Sequence, residues 1–275
     1  QKARGSTLAA VMRRDTTKAE DFARRHGVPR VHHSAEALID DPEIDAVYIA
    51  TPPSSHAGLA LRVAEAGKPC LVEKPMAPTH GECVGINEAF RTRGVPVFVA
   101  YYRRALPRFL RVRELLSGGA IGRVTSAHLR IEQPLATGEH ARAWRYDPAI
   151  AGAGLFLDLA SHCVDLLDFL VGRVVLAEGF AINTGGAYAA EDVTAAAFQF
   201  ENAVVGTGIW NFNAGGARDE MIFSGSAGEL RTPVFAGGDV ELLAGGARSG
   251  LPMVVNQLAS FTKGTKSVVS SAFRC

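Results

Sequence analysis

Two short stretches of this chain carry side chains whose types and spacing could do chemistry. Cys70-Leu71-Val72 is a brief apolar run that stops at Glu73-Lys74-Pro75. Gly152-Ala153-Gly154 opens a helical pattern carrying Asp158, His162 and Asp165. Ligands of open α/β sheets bind outside the strand carboxyl ends, so a lysine just past a buried strand stands where chemistry is expected. Its amine can give or take the proton of a carbonyl/alcohol interconversion. His162 lies one helical turn after Asp158 on the same face, with Asp165 a turn further. A carboxylate so placed can orient an imidazole that shares proton transfer with the lysine. The central expectation is that amine and imidazole meet in one pocket. Taken singly, Lys74 could equally be a surface lysine paired with Glu73, and His162 a histidine bonded within its own helix. Asp158, His162 and Asp165 could in principle ligate a metal, but no further ligand cluster accompanies them and none is expected.

The elements that must position these groups change character along the chain. Strand and helix signals alternate over the first hundred or so residues, which predicts a parallel sheet wound with helices. Strands are predicted at Leu8–Met12, Val31–His32, Ala46–Ala50, Leu71–Glu73 and Val95–Ala100. Between them, helices run from Thr16 as cap to His26, from Ser34 to Ile39, from Ser55 to Ala66, and from a Thr79/Glu82 capping box to Arg93. Glycines 27 and 67 close the first and third of these. After Pro107 one helix precedes longer alternating stretches at 123–132, 174–182, 192–200, 203–212 and 221–224, the mark of an antiparallel sheet. One long helix, 155–171, should pack on it. The fold class expected is an α/β Rossmann-type domain, residues 1–102, followed by an α+β open-sheet domain, residues 103–275. Gly152-Ala153-Gly154 follows no βαβ strand and reads as a tight helix entry.

The totals exclude several function classes. With 275 residues, 47% hydrophobic and 21% charged, the chain has enough apolar surface for two cores. A net charge of +1 gives no global field toward nucleic acid or an anionic membrane. The arginines 103, 104, 108, 111 and 113 recur at helical spacing and read as a solvated helix face, so no nucleic-acid partner is expected. No run reaches the roughly 18–20 apolar residues of a membrane span, and no membrane association is expected. Cys70, Cys83, Cys163 and Cys275 show neither CxxC nor zinc spacing, which fits reduced thiols in a cytoplasmic protein.

Read in order, a set of motifs resembles the glucose–fructose oxidoreductase / inositol dehydrogenase / rhizopine-catabolism (Gfo/Idh/MocA) family. They are Asp45-Ala46-Val47-Tyr48-Ile49-Ala50-Thr51-Pro52, His56, Gly67-Lys68-Pro69 and Glu73-Lys74-Pro75-Met76-Ala77. Gly119-Ala120-Ile121-Gly122-Arg123-Val124 and Asp158-Leu159-Ala160-Ser161-His162-Cys163-Val164-Asp165-Leu166 complete it. The resemblance implies a nicotinamide-dependent oxidoreductase acting on a sugar, polyol or similar small hydroxylated molecule, assembled as a homo-oligomer (dimer or tetramer). Lys74 and His162 would move the hydroxyl proton while Asp158 orients the histidine. One piece is missing: neither a first strand nor a GxGxxG phosphate loop stands before Leu8. Either further residues precede Gln1 or the protein cannot bind a dinucleotide in the usual way; losing a central strand would expose apolar edges on both neighbours, so the first is expected. The tail 251–275 likewise lacks the helix and strand expected at the family's end.

The resemblance also implies roles around the cofactor and substrate. Glu73 and Pro75 would line the cofactor side and aim the lysine, and Thr51, Pro52 and His56 would lie beside the nicotinamide ribose. His56 could equally be an ordinary first-turn helix residue. Where the family more often has Asn, this chain has Pro53. In Rossmann domains an acidic residue after the second strand holds a ribose 2′-hydroxyl, whereas arginine accommodates a 2′-phosphate. Arg13 and Arg14 stand there, so NADP is expected, with NAD as the alternative. Tyr102, Arg104, Trp144 and Arg145 would flank the substrate. Two other readings of the same resemblance are a hydrolase using bound NAD for transient oxidation, which would consume no cofactor, and a non-catalytic sensor.

Overall fold

The architecture comes from a computed structural model and describes residues 5–251 and 270–274. The chain divides into two units. Of the described residues, the first unit takes those up to Ala100, Ala149–Gly152 and the last strand; the second takes Tyr101–Pro148 and the rest from Ala153. The division expected at 102/103 falls at 100/101, and a short internal segment and the last strand group with the first unit and not the second.

In the first unit, short apolar runs flanked by capped helices give the expected alternation. Its elements are β1 (Thr7–Met12), α1 (Thr16–His26), β2 (Arg30–His32), α2 (Ala35–Ile39), β3 (Ala46–Ile49), α3 (His56–Glu65), β4 (Cys70–Val72), α4 (His80–Arg93) and β5 (Val97–Val99). Asp15, not Thr16, caps α1: its carboxylate accepts from the Lys18 amide at 3.1 Å. Gly27 ends that helix at φ 65°, a left-handed position suited to glycine. Thr79 and Glu82 form the capping box of α4. The pairs β1–β2, β3–β4 and β4–β5 are parallel. The last strand of the chain (Ser270–Arg274, β14 below) lies between β1 and β3, antiparallel to both. The sheet is thus doubly wound and parallel except at this strand, which corrects the expectation of a strandless tail; residues 252–269 lie outside the described residues. Val47, Ile49, Val72, Ile86 and Phe90 are buried between sheet and helices.

The second unit begins with α5 (Pro107–Ser117) and β6 (Val124–Glu132). After α6 (Pro148–Ala151), most of which groups with the first unit, come α7 (Gly154–Leu170), β7 (Val174–Ile182), β8 (Val193–Phe200), β9 (Val205–Asn211) and β10 (Arg218–Gly225). The three strands β11 (Gly228–Thr232), β12 (Val240–Ala244) and β13 (Ala247–Leu251) had no sequence signal strong enough to be predicted; each is short and glycine-flanked. Together with β14, they complete the strands of the chain's described residues. The eight-stranded sheet runs β13-β12-β11-β10-β6-β9-β8-β7 and is antiparallel apart from the β6–β9 pair.

One face of that sheet buries its apolar alternates, Leu129, Ile131, Met221, Phe223 and Trp210, in a core with α5 and α7 residues such as Phe109, Cys163 and Leu167. Gly208 makes room for this packing: a Cβ there would stand 2.5 Å from the Trp210 ring. The indole meets Phe156 of α7 edge-on at 5.2 Å. By length and mean hydropathy alone the stretch Pro148–Leu170 could cross a membrane, although Asp158, Asp165 and Asp168 interrupt its apolar residues. Half of an 18-residue window within it is buried inside the protein, as suits a core helix. The other sheet face is open.

Candidate active site

In the first unit the parallel ladder continues one residue past β4, where the Glu73 amide donates to the Ile49 carbonyl at 2.9 Å. Glu73 then accepts from the Tyr48 hydroxyl on the adjacent strand and, at 3.2 Å, from the amide of Lys74. Burial, reinforced by the neighbouring carboxylate, pushes the Tyr48 hydroxyl pKa up, so it remains a proton donor. Glu73 is therefore aimed by two donors, and Lys74 begins at a fixed point. The Lys74–Pro75 peptide bond is cis.

His56 lies fully buried at the start of α3. Its Nδ1 is 2.9 Å from the Pro75 carbonyl and its Nε2 2.8 Å from that of Thr51. A neutral ring can donate to one of these carbonyls, a protonated ring to both. Both nitrogens are thus committed to protein carbonyls. This corrects the expectation for His56: it braces the turn after β3 to the turn after β4 and presents no nitrogen to a ribose. Ser55 Oγ adds contacts to Thr51 Oγ1 (2.8 Å) and the Pro52 carbonyl (2.9 Å). Thr51, Pro52, Glu73, Lys74 and Pro75 all sit at strand carboxyl ends, where the sheet geometry places ligands. Arg13 and Arg14 directly follow β1, Arg14 exposed and Arg13 half-buried.

In the second unit α7 opens at Gly154, φ 50°, where a Cβ would fall 2.6 Å from that of Ala190. This is the tight helix entry expected of Gly152-Ala153-Gly154. His162 and Asp165 are both buried along α7. Three aromatic rings stand edge-on to the His162 imidazole, with centroids at 6.1 Å (Tyr101), 5.4 Å (Tyr102) and 6.3 Å (Phe235). Asp158 pairs with Arg145 at 3.3 Å, and the Arg145 guanidinium stacks 4.2 Å over Trp144. Trp144 and Arg145 are thereby tied to the helix that carries His162.

Arg104 differs from its expected role as a substrate contact. Its guanidinium bonds Asp165 at 2.6–2.8 Å and Asp168 at 3.1 Å, so it is committed to α7. These carboxylates make Arg104 hold its proton more tightly, yet the Asp165 carboxyl is itself pushed up, because burial outweighs the guanidinium it faces. The short contacts identify a charge pair whatever the balance of those effects. Asp158 is thus paired with Arg145 and Asp165 with Arg104.

Sequence reasoning missed Tyr48 and Phe235. Tyr48 stands in one of the family-like motifs but meets Glu73 only across strands. Phe235 belongs to the unpredicted β11–β12 connection, and nothing local distinguishes it from a core residue.

Comparison with known proteins places this geometry among relatives. A family model described as an oxidoreductase family with an NAD-binding Rossmann fold matches residues 1–101. Another, described as a GFO/IDH/MocA C-terminal domain, matches residues 109–231. Oxidoreductase P35 of Formosa agariphila is 42% identical over 233 residues, 83% of this chain and 72% of that protein. Levoglucosan dehydrogenase of Pseudarthrobacter phenanthrenivorans is 35% identical over 156 residues, 56% of this chain and 40% of that protein. The solved structure of a levoglucosan dehydrogenase with NADH and levoglucosan matches at TM-score 0.81 and 26% identity, over 89% of this chain and 70% of that one.

Proposed function

Since the chain belongs to the oxidoreductase family whose NAD-binding domain is a Rossmann fold, we propose that it oxidises or reduces a sugar, polyol or related small hydroxylated molecule with a nicotinamide dinucleotide. The observation that carries this reading is the turn after β4, where Lys74 follows a glutamate fixed by Tyr48 and precedes a proline whose carbonyl is braced by His56. So much structure around one lysine is what proton transfer at a defined point requires.

The residues present fit both ends of a dinucleotide, although no glycine-rich pyrophosphate loop occurs in the sequence. Thr51, Pro52, Glu73 and Pro75 would hold the nicotinamide ribose, and Arg13 and Arg14 the adenosine 2′-phosphate, so the cofactor proposed is NADP. When bound, the dinucleotide supplies or takes the hydride. Lys74 Nζ gives or takes the proton of the substrate hydroxyl, His162 shares that proton, and Asp158 orients His162. Trp144 and Tyr102 supply flat and hydrogen-bonding surfaces for the substrate. The relatives named as levoglucosan and inositol dehydrogenases support this class of substrate.

The test is a panel of levoglucosan, inositol, aldoses and linear polyols, followed by nicotinamide absorbance with each cofactor. Steady cofactor turnover on at least one compound is expected, with NADPH bound more tightly than NADH by fluorescence titration. Ligand binding without cofactor consumption anywhere in the panel would contradict the reading.

The homo-oligomer is proposed to form through the open face of the eight-stranded sheet. Leu176, Phe180 and Ile182 alternate along the edge strand β7, with Phe180 82% exposed. Phe180→Glu should halve the mass seen by light scattering; an unchanged mass would place the interface elsewhere.

A further inference from the structure

The connection from β11 to β12 is unusual for a surface loop, because charged side chains take up its backbone. Loops with exposed backbone are commonly mobile. Here the amides of Val234 (2.7 Å), Phe235 (2.7 Å) and Ala236 all donate to the carboxylate of Asp219 on β10. From the other side Arg108 donates to the carbonyls of Pro233 (3.0 Å), Ala236 (2.7 Å) and Gly238 (3.0 Å). Arg103 donates to the Val234 carbonyl at 2.6 Å. Every one of these bonds involves a charged group, the stronger kind of hydrogen bond. Such a clamp holds whatever the loop displays.

What it displays is Phe235. The Phe235 ring packs on the Arg103 guanidinium at 4.5 Å, and Arg103 also lies 5.5 Å from the ring of Tyr102. Both rings stand edge-on to the imidazole of His162, at interplanar angles of 66° for Phe235 and 80° for Tyr102. Separations of 5–6 Å in this orientation are favourable for aromatic pairs. Contacts of this kind set the plane of an imidazole without occupying either nitrogen, which suits a ring that must exchange a proton.

We propose that Phe235 is a positioning residue for His162, delivered by the β11–β12 loop and locked in place by Asp219, Arg103 and Arg108. The proposal rests on reading His162 as a proton-transfer residue. Its test is therefore arranged so that the two can fail separately. The His162 ring resonances are assigned by their loss in His162→Gln, then followed in Phe235→Leu, Phe235→Tyr and Asp219→Asn. Turnover is measured on the best substrate of the panel above.

Phe235→Leu should shift those resonances and lower kcat roughly ten- to a hundredfold, the scale of a small misplacement, with KM changed less than about twofold. Phe235→Tyr keeps the ring and should restore both readouts. Asp219→Asn leaves one carbonyl oxygen for three amides, so it should reproduce the Phe235→Leu shift without touching Phe235. Unmoved resonances in both Phe235→Leu and Asp219→Asn would overturn the proposal, as would moved resonances with unchanged kcat. Full turnover in His162→Gln would instead remove the proton-transfer reading, and this proposal with it.

Discussion

The turn carrying Lys74 and the helix carrying His162 are secured by different forces. Around Lys74 the ties are polar and local to the sheet: Tyr48 to Glu73, Glu73 to the Lys74 amide, and His56 to the carbonyls of Thr51 and Pro75. They fix the backbone from which the long side chain extends. Around His162 the helix fixes the backbone already, and what remains to be set is the plane of a ring. Three aromatic edges bear on that plane, beside the orienting role proposed for Asp158. A flexible amine needs a rigid root, whereas a short imidazole needs a rigid wall. Breaking a tie of the first kind should cost folding stability as well as rate; breaking one of the second kind should cost mostly rate.

The largest effect is expected at His56. In His56→Ala the carbonyls of Thr51 and Pro75 lose the imidazole between them, at about 1–3 kcal/mol for a donor lost to a buried carbonyl, and the turns after β3 and β4 come apart. Urea denaturation should show a loss of that size, together with a fall in turnover although His56 touches no substrate. A variant as stable as the parent would show that water replaces the imidazole and that the brace is dispensable.

A smaller effect compares the interiors of the two units. Burial pushes the thiols of Cys70, in the first unit, and Cys163, in the second, up to about 12. With a raised folded-state pKa, the neutral thiol's contribution is complete below the unfolded value, 9.0, and fades as pH rises through the folded one. Stability should therefore fall between pH 9 and about 12, by about 1 kcal/mol per thiol already at pH 10. Cys70→Ala and Cys163→Ala should each flatten that decline in denaturation curves. If only one does, the two interiors are not equally dry.

The smallest stability change is expected beside His162. Tyr102 is 53% exposed, so Tyr102→Leu should cost about 0.5–1.5 kcal/mol through its lost ring contact while kcat falls several-fold. A large stability loss with an intact rate would reverse the comparison drawn above.

How much of this was legible follows from how local each signal is. The Glu73-Lys74-Pro75 turn, the Thr79/Glu82 capping box and the entry of α7 at Gly154 depend on residues adjacent in sequence, and all could be read directly. The cap of α1 was misread by one residue because Asp15 and Thr16 are both good caps, and only backbone geometry separates them. His56 and Arg104 were assigned by family likeness to ligands, whereas the fold gives them the carbonyls of Thr51 and Pro75 and the carboxylates of Asp165 and Asp168. Those partners arrive through strand register and helix packing, which no local pattern encodes. The strands β11 to β13 were missed because five-residue segments such as GELRT and VELLA alternate too briefly to stand out. The placement of β14 between β1 and β3 is more distant still, since it joins the end of the sequence to its beginning.

The central proposal, that Lys74 and His162 serve one proton path, is met most directly by a double-mutant cycle. Turnover and NADPH affinity would be measured for Lys74→Met, His162→Gln and the combined variant on the best substrate of the panel. Loss of one path predicts about a hundredfold or greater fall in kcat for each single change and little further loss in the double, with cofactor affinity nearly unchanged. Single variants that turn over at the parent rate, or losses that multiply in the double variant, would contradict it.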